Sequence, residues 1–296
     1  MIPIYKRLLY SIGLFFTKTT PVSSEGLSVI IFSKDRPMQL DALLRSIKHC
    51  VSGEFQVTVQ WQTSSLNFEK AYGEVLEKNA DLIFEHVKEK NFREDLIEVI
   101  QGVEFSRLMF LVDDILFINP FSISWLNDIN LKKNVPSIRL WSGINYTQPS
   151  DSISPAPTLY PFSVKPWSFF SWIKSSGYWS MPLSVDGNIF HTKEILFLLK
   201  RAQFKAPNTL EKALGPYRFM FKYRNGICLQ YPVLINFALN RVNIENSDFP
   251  CGEEYTSEKL LEFWNLGRRI DIEAMKAIES NSCHIVCDPI FIDSNN

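Results

Sequence analysis

The chain of 296 residues carries 31 Lys and Arg against 32 Asp and Glu, a formal net charge of -1, so no basic excess points to a nucleic-acid partner. Hydrophobic residues at 46% and charged residues at 21% suit a globular protein with a substantial core and exclude a disordered or fibrous chain. The 5 cysteines (Cys50, Cys228, Cys251, Cys283 and Cys287) show no metal-ligand spacing and read as reduced thiols in the cytoplasm.

Residues 1–26 read as an N-terminal appendage to a single domain over 27–296 that has no internal repeat. Lys6 and Arg7 precede a short apolar stretch, Leu8 to Phe16, and Pro21 to Gly26 reads as a linker. The stretch is too short to span a bilayer. It fits an interfacial anchor helix with Lys6, Arg7 and Lys18 at the headgroups, which would put the protein at the inner face of the cytoplasmic membrane. It fits a helix packed on the domain equally well.

Leu27 to Ser33 is a near-continuous apolar run of strand length, followed by the polar turn Lys34-Asp35-Arg36 and by Pro37, which suits a first helical turn. Leu40, Leu43, Leu44 and Ile47 then recur at helical spacing. No Gly-rich phosphate loop is present, so a nucleotide bound here is recognised by side chains such as Ser33, Lys34, Asp35 and Arg36. Strands are expected at Phe55–Trp61 and Asp81–Phe84, and helices at Phe68–Lys78 and Phe92–Ile100. Together these predict an α/β fold with a mostly parallel central sheet flanked by helices.

Leu108 to Val112 is the fourth apolar run, and it ends abruptly in Asp113 and Asp114. Two adjacent carboxylates are costly there unless a cation or hydrogen-bond donors compensate them. The ends of parallel strands are also where open α/β sheets place their ligands. The pair suits a hard divalent cation, Mn²⁺ or Mg²⁺, completed by phosphate and water; the bland alternative is an Asp capping the next turn.

Beyond Pro120, Ser137–Trp141 reads as a strand and Tyr146–Pro166 as a long loop. Aromatic residues cluster between Trp141 and Trp179, as core or as a platform for sugar rings. Asp186-Gly187 marks a turn, Lys193–Arg201 a helix, and Pro207 opens another whose first turn contains Glu211, where it would answer the helix dipole. An apolar stretch, Ile227 to Val242, a helix over Glu258–Trp264 and the segment Cys283-His284-Ile285 complete the chain.

The succession of these elements resembles a glycosyltransferase of the GT-A fold, family-two-like, of the kind used in bacterial polysaccharide biosynthesis. Val29–Pro37 is similar to its first strand and nucleotide-binding turn, and Leu111-Val-Asp-Asp114 to its DXD metal-binding segment, though spelled differently. Ser184–Phe190 resembles the acceptor-side loop, and Pro207–Glu211 falls where such enzymes carry an acidic catalytic motif. The resemblance implies a nucleotide-sugar donor and a glycan or lipid-linked acceptor. It implies Asp113, Asp114 and His284 as metal residues, Asp113 also against the ribose, and Glu211 or else Asp186 as the base that takes the acceptor proton. Two alternatives compete: a nucleotidyltransferase, which the missing Gly-rich loop disfavours, and a non-catalytic glycan-binding protein on the same fold.

Overall fold

The computed structural model describes residues 25–144, 146–147, 153–154, 156–163, 166–221, 223–240 and 254–293. The N-terminal appendage, with both of its readings, falls almost wholly outside them. No helix among the described residues is long and apolar enough to cross a membrane.

Residues 27–112 build a layered unit. Strand β1 (Leu27–Lys34) is buried along nearly its whole length. Helix α1 (Pro37–Cys50) starts on Pro37, whose missing N–H is no loss in a first turn, and turns Leu40, Leu43, Leu44 and Ile47 inward. Then follow β2 (Phe55–Gln62), α2 (Leu66–Lys78), β3 (Ile83–Lys88), α3 (Phe92–Gly102) and β4 (Arg107–Val112). Helices α2 and α3 are capped by Ser65, which accepts from Phe68 N, and by Asn91, which accepts from Glu94 N.

Strand β3 lies further along the chain than the expected Asp81–Phe84. Asn79 accepts through its carbonyl from Leu82 N (2.9 Å) and Ile83 N (3.0 Å), so the turn consumes Asp81 and Leu82 and pairing starts at Ile83.

The second half adds β5 (Ile115–Phe117), β6 (Asn134–Trp141), β7 (Trp167–Ser171) and β8 (Ile189–His191). It continues with α4 (Thr192–Leu199), α5 (Pro207–Leu214), β9 (Asn225–Leu229), β10 (Leu234–Phe237), α6 (Ser257–Asn265) and β11 (His284–Ile285). The central sheet runs β8-β4-β1-β2-β3, parallel except for β8, which pairs antiparallel with β4 at the edge. This is the mostly parallel α/β sheet expected, and its antiparallel edge strand is common in such folds. Strands β7, β9 and β6 belong to a second sheet, and β11, β10 and β5 make a third, small one.

The Ile227–Val242 stretch is therefore two strands, placed in different sheets, with its last residues outside the described ones. The Tyr146–Pro166 loop is partly structured: Tyr160–Pro161 pairs with β7, and the Tyr160 and Phe169 rings stack at 5.1 Å. Part of the aromatic cluster is core, with Trp167, Trp172 and Trp179 buried and Phe170 packed edge-on against Trp172 and Trp179, whereas Tyr160 is exposed.

One backbone turn joins the sheets. Gly187 donates to Phe110 O (2.9 Å) on β4 and accepts from Ile138 N (3.0 Å) on β6. Its φ of +78° and the 2.9 Å from its would-be Cβ to Leu234 Cδ2 leave room for no side chain.

Candidate active site

A cleft of about 670 Å³ opens at the C-terminal ends of β1 and β4, where an open parallel sheet exposes the residues that leave its strands. On one side stand Ser33, Lys34 and Arg36 with Asp113 and Asp114, and on the other Arg139, Tyr178, Asp186 and Glu211. Asn236 and His284 also line it.

The acid pair divides its labour. Asp113 is 4% exposed and both of its oxygens are engaged. Arg36 Nη1 donates to Oδ1 at 2.9 Å, while Ser33 Oγ (2.8 Å) and Lys34 N (3.2 Å) donate to Oδ2. Burial pushes the Asp113 carboxyl up and Arg36 pulls it back. Burial would lower the Arg36 guanidinium in turn, but Asp113 and Asp114 outweigh it and hold the group charged. Arg36 is fixed from its other side by Asn240, through Nε to Oδ1 (2.8 Å) and Nη2 to the carbonyl (2.5 Å).

Asp114 is more open. Its Oδ2 lies 3.4 Å from Arg36 Nη1, its Oδ1 accepts from Asn236 Nδ2 at 3.3 Å, and its carbonyl accepts from Phe237 N at 2.7 Å. Strands β10 and β11 pair in parallel with Asn236 opposite His284, which brings that imidazole to the same part of the cleft. Burial and the charge of Arg139 push His284 below its usual range against the pull of Asp114, leaving it neutral at pH 7.

On the facing wall, Arg139 rises from the middle of β6 and lies 3.8 Å from the centre of the Tyr178 ring. Its Nη1 donates to Asp186 Oδ2 at 2.8 Å, and its buried Nε has no hydrogen-bond partner. Burial, opposed by Arg139 and reinforced by Glu211 and Asp114, pushes the Asp186 carboxyl up to about 7. Glu211 does not sit in the first turn of α5, so the helix dipole does not explain it. It accepts from Val185 N through Oε1 at 3.3 Å, which ties it to the Asp186 turn.

The structure thus brings Ser33, Lys34, Arg36, Asp113, Asp114, Asp186, Glu211 and His284 to one cleft. Asp35 is not among the lining residues. It adopts φ 52°, a left-handed conformation that Asp tolerates, and its Oδ1 accepts from Ser64 N at 2.7 Å. It shapes the turn that carries its neighbours.

The metal set expected from Asp113, Asp114 and His284 does not close, because Asp113 is turned to Arg36. Among the described residues no three His, Cys, Asp or Glu side chains stand together as a metal cage. Asp114 and His284 remain, with Asn236, which donates to Asp114 through Nδ2 and whose buried Oδ1 has no hydrogen-bond partner. Such a donor set fits a hard cation that keeps much of its shell for phosphate and water.

Arg139, Tyr178, Asn236 and Asn240 escaped the sequence reading. Two carried a signal: Arg139 interrupts Ser-Ile-Arg-Leu-Trp141, and Asn236 interrupts Leu-Ile-Asn-Phe237, each a polar residue in an otherwise apolar strand.

No family model matches the chain. In sequence, 107 residues (33% of this chain) are 36% identical to part of the bifunctional glycosyltransferase pgtA of Dictyostelium discoideum, a match that covers 14% of that protein. In structure, TarS of S. aureus aligns over 85% of this chain and 41% of its own, at 16% identity and a TM-score of 0.47. The mannosyltransferase PcManGT of Pyrobaculum calidifontis, solved with GDP-Man and Mn²⁺, aligns over 76% of this chain and 62% of its own, at 14% identity and a TM-score of 0.38. The chain spans well under two thirds of pgtA and of TarS. By sequence, this chain is similar over a third of its length to a glycosyltransferase.

Proposed function

We propose that residues 27–296 act as one catalytic unit that moves a sugar from a nucleotide-sugar donor to a hydroxyl of a glycan or lipid-linked acceptor in the cytoplasm. One observation carries this reading. A single cleft sets an acid pair with its own counter-ion at the end of β4 across from two further carboxylates, Asp186 and Glu211. The partial sequence match to pgtA supports it.

In the reaction, the acceptor oxygen forms a bond to the anomeric carbon as the bond from that carbon to the donor phosphate breaks. Glu211 takes the acceptor proton as general base, oriented by Val185 N, and Asp186 stands second in line. Lys34 gives positive charge on the donor side, while the Arg36 guanidinium is engaged by Asp113, Asp114 and Asn240. Asp113 fixes Arg36 and the end of β1, so that these groups are in place before the donor arrives. Asp114 and His284 would hold a divalent cation, Mn²⁺ or Mg²⁺, which supplies charge for the departing phosphate when bound.

The test is a panel of UDP-, GDP-, CMP- and dTDP-sugars, titrated by calorimetry with and without Mn²⁺ and followed for release of free nucleotide. One nucleotide class is expected to bind and to lose its sugar slowly to water. If no member of the panel binds, the transferase reading is wrong.

A further inference from the structure

We propose that the side-chain oxygen of Asn236 is a third protein donor to the divalent cation held by Asp114 and His284. This rests on the metal-assisted transferase reading and adds to it a neutral oxygen ligand.

Asn236 is an anomaly in its strand. Its neighbours Leu234, Ile235 and Phe237 are all buried apolar residues, and Asn236 itself is 3% exposed. A buried amide normally has partners for both ends. Here Nδ2 donates to Asp114 Oδ1 at 3.3 Å, whereas Oδ1 is shielded from solvent and has no hydrogen-bond partner. Reversing the amide is no remedy, because it would aim the oxygen at a carboxylate. The orientation is therefore set by Asp114, and it leaves an unsatisfied acceptor in a residue that lines the cleft.

The backbone of Asn236 is held on both sides. Asn236 pairs with Ile115, the residue after Asp114, on one side and with His284 on the other. Asn236 N donates to Cys283 O at 3.0 Å, and Phe237 N donates to Asp114 O at 2.7 Å. A carboxylate, an amide carbonyl and an imidazole thus project from three hydrogen-bonded segments. Hard divalent cations take amide oxygens alongside carboxylates, and a neutral donor adds no repulsion beside Asp114. Asp114 has acceptor capacity left, because each of its oxygens carries one contact.

The test separates ligation from support. Mn²⁺ alone is titrated into the full chain and free Mn²⁺ is read by electron paramagnetic resonance, with a thermal melt of each variant. Asp114→Ala is the control that locates the site. Asn236→Ala removes both ends of the amide and is expected to weaken Mn²⁺ binding by at least the roughly 10–100-fold seen when even an outer partner of a metal ligand is lost. Asn236→Asp keeps an oxygen but loses the donor to Asp114, and is expected to bind Mn²⁺ at least as well as the native protein. If Asn236 only steadies Asp114, Asn236→Asp falls as far as Asn236→Ala, and the proposal is overturned. It is also overturned if Asn236→Ala binds like the native protein, or if the native protein binds no Mn²⁺. Nucleotide-sugar binding by the same preparation shows separately whether the transferase reading survives.

Discussion

Arg36→Met removes a guanidinium whose side chain is 10% exposed and leaves Asp113, 5% exposed by the same measure, with Ser33 and Lys34 N as its remaining donors. Breaking a buried ion pair from one side costs about 3–5 kcal/mol, because the surviving charge is stranded. For a chain of this size that corresponds to a fall in Tm of roughly 6–20 °C. The loss should depend on pH, with a definite sign. Burial already pushes Asp113 up, and without Arg36 its folded pKa rises further above the unfolded value. The folded state then binds the extra proton, so the penalty is full at neutral pH and shrinks as pH falls toward the unfolded carboxylate range. Adding Asp113→Asn removes the stranded charge, and the double variant should be more stable at pH 7 than Arg36→Met alone. Urea denaturation of both single variants, the double variant and the parent at pH 5 and pH 7 measures every term. A cost below about 1 kcal/mol at pH 7, or a double variant no more stable than Arg36→Met, would refute the reasoning.

Glu211→Gln should keep donor affinity and Tm near those of the parent while turnover falls by about 10²–10⁴-fold; near-normal turnover would move the base to Asp186. Asp186, pushed up to about 7 by burial, should make the protein lose stability as pH rises from the unfolded carboxylate value through 7, and Asp186→Asn should flatten that slope in denaturant titrations. Gly187→Ala should cost about 1–3 kcal/mol in denaturant unfolding, since φ +78° and Leu234 Cδ2 at 2.9 Å both oppose a side chain.

The fold was legible wherever one face or both faces of an element are apolar. β1, β4, α1 and the Pro37 and Pro207 helix starts all follow from runs, helical spacing and the fixed φ of proline. Asp113 and Asp114 also announced themselves, as charges that an apolar run would not end on without compensation. What compensates Asp113 was not legible. Arg36 read as a group for the nucleotide, yet its Nη1 serves Asp113 across 77 residues of sequence. No local pattern reports a pairing made by two parallel strands meeting in register. Glu211 is the fifth residue of a helix whose Pro207 start the sequence does show, so counting from that start already sets it past the first turn and removes the dipole as a rival. Arg139 and Asn236 show what a finer reading would have sought: a polar residue that breaks an apolar strand, like the acid pair, needs a partner.

The sequence distances within the site have a consequence for synthesis. Arg36 depends on Asn240, 204 residues later, and Asp114 on Asn236, 122 residues later. Ribosomes add about 5–20 residues each second, so Arg36 waits roughly 10–40 s for its clamp to emerge. The four parallel strands, by contrast, are all present once residue 112 has been made. A nascent chain can therefore assemble its sheet well before it owns a finished cleft, and for that interval the acid pair is a cluster of charge with one wall missing. The cleft is complete only when the last third of the chain has joined the first.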